Sequence, residues 1–134
     1  MSSAPIWYLD TSAALKLVST EPESDALAAA IDEVQPILVS ALLLETELRR
    51  AVHRHAQLTQ GDITSFLEPI NLIDMPRSLY LQAGLLGGEN LRSLDALHLS
   101  AAIMETVDAV VTYDHRMIMA AEEAGISVVC PTPE

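Results

Sequence analysis

The sequence predicts an α/β protein: a central parallel β-sheet of about five strands flanked by helices on both faces. Two observations carry this. Short apolar runs rich in Ile or Val alternate with segments long enough for helices, and no repeat, low-complexity tract or Pro/Gly/Ser-rich linker interrupts the alternation. Ile6 to Leu9 is the first such run, and Ile37 to Val39, Asn71 to Ile73, Ala109 to Thr112 and Ser127 to Cys130 follow. All are short and apolar without strict alternation, as in parallel strands covered on both faces. Between them, Glu23 to Val34, Ala41 to Leu58, Ile63 to Pro69, Ser78 to Leu86, Leu94 to Val107 and His115 to Ala124 carry helix-forming residues. Pro22 can open the first of these, Ser93 can cap the helix starting near Leu94, and Gly125 can end the last.

With 134 residues, 50% of them hydrophobic, the chain has material for one core, and a single domain over residues 1–134 is expected. Mean hydropathy is +0.28. The longest stretches without charge, such as Val34 to Leu44 and Ser78 to Gly88, reach only 11 residues, against the ~20 that a bilayer span needs. The opening MSSAPIWYLD has neither a basic n-region nor an apolar h-region, so a cytoplasmic location is expected. One cysteine, Cys130, excludes an internal disulfide and a cysteine-based zinc site, and is read as a buried core residue. Nineteen acidic residues against seven basic ones, net −12, argue against nucleic-acid binding through a broad basic surface. One patch departs from that balance: Arg49, Arg50, His53, Arg54 and His55 gather five of the 11 Lys, Arg and His residues, and could meet an anion.

In an open parallel sheet the helix N-termini and strand C-termini share one edge, and ligands bind there, near the point where strand order reverses. Asp10 ends the first strand; Asp114 repeats the arrangement after AVVTY; Asp95 follows the expected cap Ser93 by two residues. Glu47 is expected about seven residues into a helix starting near Ser40, roughly 10 Å down its axis, with its side chain leaning back toward the helix start. Asp10 alone would also serve as an ordinary helix N-cap. Carboxylates brought together repel, and the chain offers one lysine, Lys16, to balance them. A divalent cation is the economical answer. An oxygen-only ligand set suits Mg²⁺ or Mn²⁺, and such a site points to phosphodiester hydrolysis.

The segments YLDTSAALKL, SALLLETELRRA, LRSLDALHLSAA and VVTYDHRM resemble the four motifs of a PIN domain, in order and across the whole chain, and in particular those of the VapC-type toxins. The resemblance implies a compact parallel sheet flanked by helices and a Mg²⁺ or Mn²⁺ site for endoribonuclease activity. It implies Asp10, Glu47, Asp95 and Asp114 as ligands. Ser12 and Thr112 match hydroxyl positions that in the family support the ligands or hold water. In the second motif Glu45 and Glu47 compete, and two residues turn a helical side chain by about 200°. The run Thr46-Glu47-Leu48-Arg49-Arg50-Ala51 resembles the family pattern and selects Glu47, leaving Glu45 to pair with Arg49 at i+4. The resemblance further implies a small VapB-like antitoxin whose amphipathic segment packs in an apolar groove and whose basic side chain approaches the acids.

Several residues near the motifs have more than one reading. Arg50, one turn beyond Glu47, could hold that carboxylate or touch a phosphate, and Arg49 and Arg116 are further candidates for substrate or partner binding. His98, three residues after Asp95, shares its face but is read as a packed, hydrogen-bonded histidine rather than a ligand or general base. His115 stands beside Asp114, and Trp7 and Tyr8 are assigned to the core. Leucines at 42–44 and at 79, 81, 85 and 86 exceed one buried helix stripe, so a homodimer is expected. Three other functions compete with the nuclease. A receiver-like phosphoacceptor would carry paired acids after the first strand and a late lysine, and a haloacid-dehalogenase-like phosphatase would carry an Asp where Ser12 stands. A binding module with the same fold and no activity would have no need of all four acids.

Overall fold

The computed structural model describes residues 3–134. Five strands, β1 (Ile6–Leu9), β2 (Ile37–Ala41), β3 (Asn71–Ile73), β4 (Ala109–Val111) and β5 (Ser127–Val129), form one parallel sheet in the order β3-β2-β1-β4-β5. The chain builds outward from β1 to β3 on one side, then crosses to build β4 and β5 on the other. The switch point therefore lies between β1 and β4, where Tyr8 pairs with Val110 and Leu9 with Val111.

Seven α-helices cover the sheet: α1 (Thr11–Val18), α2 (Ser24–Val34), α3 (Leu43–Ala51), α4 (Gln60–Leu67), α5 (Arg77–Leu85), α6 (Ser93–Glu105) and α7 (His115–Glu123). The twofold period of the strands sorts the core between the two faces. Tyr8, Val39 and Val110 pack with Leu79 of α5, Leu99 of α6 and Met117 of α7. Trp7, Leu9, Ala109 and Val111 pack with Ala13 of α1 and Leu27 of α2. A third cluster, Ala14, Leu44, Leu48, Leu58, Ile63 and Leu67, joins α1, α3 and α4. In α6 the buried face carries Ala96, Ser100, Ala101 and Ala102. Such small side chains let this helix lie close on the sheet, which brings its first two turns to the switch point.

The expected architecture is present, with local corrections. Thr11–Val18 is a helix, which the sequence reading did not count; its N-cap is Asp10, whose side chain accepts from the Ala13 N–H. Ser40 and Ala41 belong to β2, so α3 begins at Leu43 and not near Ser40. The single helix expected from Ala41 to Leu58 stops at Ala51, followed by a 3-10 turn at Val52–Arg54. A capping box between Thr59 and Asp62 then starts α4. The cap of α6 is Arg92, with Ser93 already helical and no side-chain cap bond. Gly125, at φ 78°, lies just past the end of α7 in a conformation that glycine adopts readily. Trp7 and Tyr8 are buried, whereas Cys130 is only partly so, a correction to its assignment to the core. Leu44 and Leu79 are core residues, while Leu81 and Leu85 are 65% and 76% exposed. Among the described residues no helix is long and apolar enough to cross a membrane.

Candidate active site

Asp10 leaves β1 in extended conformation and caps α1, so its carboxylate is fixed between strand and helix. Oδ1 accepts from Ser12 Oγ at 2.7 Å and from the Ala13 N–H at 3.0 Å, and Oδ2 accepts from Thr112 Oγ1 at 2.5 Å. The residue is 3% exposed. Burial raises its pKa above the ordinary carboxylate value, against the opposing effect of the Thr112, Ser12 and Ala13 donors. Thr112, at the C-terminal end of β4, also accepts from the Asp114 N–H at 3.1 Å, so one hydroxyl links both acids that flank the switch point.

Asp114 caps α7 through Oδ1, which accepts from the Arg116 and Met117 N–H groups at 2.8 and 3.2 Å. Asp95 lies in the first turn of α6, partly buried, with no recorded hydrogen bond to its carboxylate among the described residues. Its pKa is raised first by burial, then by repulsion from Asp114 and Asp10, with a further contribution from Glu47. Glu47 is the fifth residue of α3, roughly 6 Å along the axis from its start. That is closer to the sheet edge than a helix beginning near Ser40 would allow. The four acids are thus electrostatically coupled. The positive ends of α1, α6 and α7 face this edge and offset part of the repulsion. The carboxylates do not form a closed cage: among the described residues no three His, Cys, Asp or Glu side chains converge as a ready metal-binding group.

Glu47 has partners that sequence reading missed. Its Oε1 accepts from Thr11 Oγ1 at 2.5 Å and lies 2.6 Å from His98 Nε2. His98 is 2% exposed, packed as expected, yet its ring reaches the site. On its other side Nδ1 is 2.6 Å from the Tyr8 hydroxyl, which itself accepts from the Ala41 N–H at 3.2 Å. The three-residue spacing of Asp95 and His98 was the available signal for His98; nothing in the sequence distinguished Thr11 from an ordinary residue of a first helical turn.

The basic candidates divide. Arg49 Nε pairs with Glu45 Oε2 at 2.9 Å, the i,i+4 contact expected for Glu45, and its terminal nitrogens reach Gln60 Oε1 and Thr64 Oγ1, both at 3.2 Å. Its guanidinium ties α3 to α4, a correction to its reading as a ligand-facing group. Arg50 and Arg116 are exposed, and Arg50 makes no recorded contact with Glu47 among the described residues. Arg116 instead lines a groove of about 460 Å³ with Asn90, Leu91 and Met119, beside the N-terminus of α7. Lys16 pairs with Glu21 and Glu23 at 3.1 and 3.0 Å, so the one lysine is engaged by these two acids.

A five-stranded parallel sheet with Asp10 and Asp114 just beyond the ends of β1 and β4, on either side of its switch point, defines a class of α/β proteins that work at the strand-end edge. The chain belongs to the PIN domain family, whose sequence profile it matches over residues 7–123. It is 39% identical over 128 residues to "Ribonuclease VapC46" of Mycobacterium tuberculosis, covering 93% of this chain and 97% of that protein. It is 35% identical over 129 residues to "Ribonuclease VapC35" of the same species, covering 92% and 96%. Among solved structures the fold resembles M. tuberculosis VapC20, described as a sarcin-ricin loop cleaving toxin, with TM-score 0.72 and 14% identity over 95% of this chain and 99% of that one. It equally resembles a chain of a toxin-antitoxin complex from Klebsiella pneumoniae, with TM-score 0.72 and 20% identity over 95% and 98%.

Proposed function

We propose that this chain is a divalent-cation-dependent endoribonuclease and the toxin of a toxin-antitoxin pair. The observation that supports the reading is that Asp114, Asp10 and Glu47 all act as repelling charges on Asp95, in a chain whose full-length relatives bear the name ribonuclease VapC. The donor chemistry fits Mg²⁺ or Mn²⁺: the acids offer hard oxygen ligands without a thiol, and burial of Asp10, and burial of Asp95 together with repulsion from its neighbours, disfavour the ionised forms of these two acids unless positive charge arrives. An open cluster is compatible with Mg²⁺, which keeps several waters and uses few protein carboxylates. Asp10, Glu47, Asp95 and Asp114 would hold the ion. When bound, it would supply a Lewis acid that makes water a nucleophile near neutral pH and neutralises charge on the scissile phosphate.

The chain's own residues set the rest. Ser12, Thr112 and the Ala13 N–H hold Asp10 in one orientation. The N-terminus of α7 fixes Asp114. Exposed Arg50 and Arg116 would meet the ribose-phosphate backbone, where an otherwise acidic surface would repel RNA. No protein nucleophile is required.

As partners we propose an RNA substrate in the cytoplasm, a VapB-like antitoxin presenting a cationic side chain to the acids, and a second copy of this single-domain chain. The solved neighbours' descriptions as toxin-antitoxin complexes and the exposed leucines of α5 support that assembly. The test is a cleavage map of total RNA after brief expression. Discrete new 5′ ends with wild type and none with Asp10→Asn are expected; identical maps would refute the nuclease reading.

A further inference from the structure

A chain of hydrogen bonds through two buried side chains runs from the sheet backbone to the carboxylate of Glu47, and the nuclease chemistry proposed above makes no use of its inner members. It starts at the Ala41 N–H on β2, passes through the Tyr8 hydroxyl on β1 and the His98 ring on α6, and ends at Glu47 Oε1 on α3. Tyr8 is 0% exposed and His98 2% exposed. Burying two such polar groups is costly unless each is satisfied, and an apolar pair would fill the same space. The two rings also meet edge to face, with centroids 5.7 Å apart, so their mutual orientation is fixed by packing as well as by the hydrogen bond.

The direction of the chain follows from its last link: a carboxylate only accepts, so His98 Nε2 donates to Glu47 Oε1, and in the neutral ring Nδ1 is left to accept. The Ala41 N–H donates to the Tyr8 oxygen, and the phenol's own proton has His98 Nδ1 as its acceptor at 2.6 Å. The ring thus carries its proton on Nε2, which faces Glu47 Oε1 at 2.6 Å. Thr11 Oγ1 donates to the same oxygen. Both donors therefore fall on Oε1, and Oε2 remains for a ligand.

We propose that Tyr8 and His98 are positioning residues. They hold Glu47 in one rotamer with Oε2 presented to the acidic centre. The connectivity explains why the arrangement is useful. Tyr8 lies on β1 two residues before Asp10, which directly follows the strand, and His98 follows Asp95 on the same helix by one turn. A single chain of hydrogen bonds thus ties the elements carrying three mutually repelling carboxylates, so that they do not have to be assembled by the cation itself. This inference rests on the metal-dependent reading of the site.

The experiment uses the full-length protein and has two readouts. The first is the tautomer of His98 from ¹⁵N NMR of the metal-free protein, assigned by the resonance missing in His98→Asn. A proton on Nε2 with a bare Nδ1 is expected, and Tyr8→Phe should disturb that preference. The second is Mn²⁺ affinity by electron paramagnetic resonance. His98→Asn, which is too short to reach Glu47, should weaken binding by ~10- to 100-fold. His98→Gln can still donate to Glu47 and should recover part of that loss. Tyr8→Phe, which deletes one oxygen and keeps the ring, should weaken binding in the same direction; it also serves if the His98 variants fail to fold. A Nδ1-protonated ring with bare Nε2, or folded variants that bind Mn²⁺ as tightly as wild type, would overturn the proposal. If wild type binds Mn²⁺ and the variants lose it while no RNA is cleaved by any of them, the nuclease reading fails and the positioning role stands.

Discussion

Removing the Thr112 hydroxyl should show how firmly Asp10 is held. Thr112 is 0% exposed, donates to Asp10 Oδ2 at 2.5 Å and accepts from the Asp114 N–H at 3.1 Å. Valine keeps the side-chain shape, so Thr112→Val isolates the loss of those two bonds and of the longer 3.3 Å contact with Ser12 Oγ. A hydrogen bond to a charged group contributes about 1.5–3 kcal/mol, and a donor left without its partner costs about 1 kcal/mol more. The expected destabilisation at pH 7 is therefore ~3 kcal/mol, which lowers the melting temperature of a 134-residue domain by ~10 °C.

The pH dependence has a definite sign. Burial raises the pKa of Asp10 in the folded state above its ordinary value. Protonation there favours the folded form, so this group's contribution to stability is fully present below the unfolded pKa of about 4 and is lost as pH rises through the folded pKa. Loss of the Thr112 donor raises the folded pKa further. The gap between variant and wild type should thus be widest at neutral pH and narrow as pH falls toward that of the protonated carboxyl. Circular-dichroism melts in EDTA from pH 7 downward measure it. A variant as stable as wild type at pH 7, or a gap that widens in acid, would refute the reasoning.

Other substitutions test other parts of the site. Asp95→Asn removes a charge whose neighbours Asp114 and Asp10 repel it; in metal-free protein it should raise the melting temperature by ~2 °C, a value discounted for partial exposure, while RNA cleavage falls by more than ~100-fold. Glu47→Gln should abolish cleavage in a gel assay, whereas Glu45→Gln should nearly spare it and cost only a few tenths of a kcal/mol, about the worth of its contact with Arg49. Arg50→Glu should weaken RNA binding in a filter assay and flatten its salt dependence by about one phosphate contact, with little change in melting temperature.

Much of the sheet was legible because its strands are buried on both faces and read as short apolar runs, β1 and β4 above all. The strand-end positions of Asp10 and Asp114 followed directly from those runs. Where apolar residues continue from a strand into a helix, as in Val39 to Leu44, periodicity does not mark the boundary, and β2 took Ser40 and Ala41 from the expected helix. The helix α1 was obscured because Thr11 and Ser12 follow the capping Asp10 like turn residues and only eight residues remain helical. The role of Arg49 was hidden for a different reason: its partners Gln60 and Thr64 lie on α4, and the break between α3 and α4 was not foreseen. The link from Tyr8 through His98 to Glu47 joins residues 90 and 51 positions apart, so it depended on sheet order and helix placement that single-element patterns do not encode.

The central claim is that four carboxylates at the switch point work through a divalent cation to cleave RNA. The most direct measurement is cleavage of a defined RNA by highly purified wild-type protein in Mg²⁺ and in excess EDTA, with Asp10→Asn in parallel. The account requires cleavage in Mg²⁺, its loss in EDTA, its return when Mg²⁺ or Mn²⁺ is restored, and no cleavage by the variant. Undiminished cleavage in EDTA, or an Asp10→Asn protein as active as wild type, would contradict it.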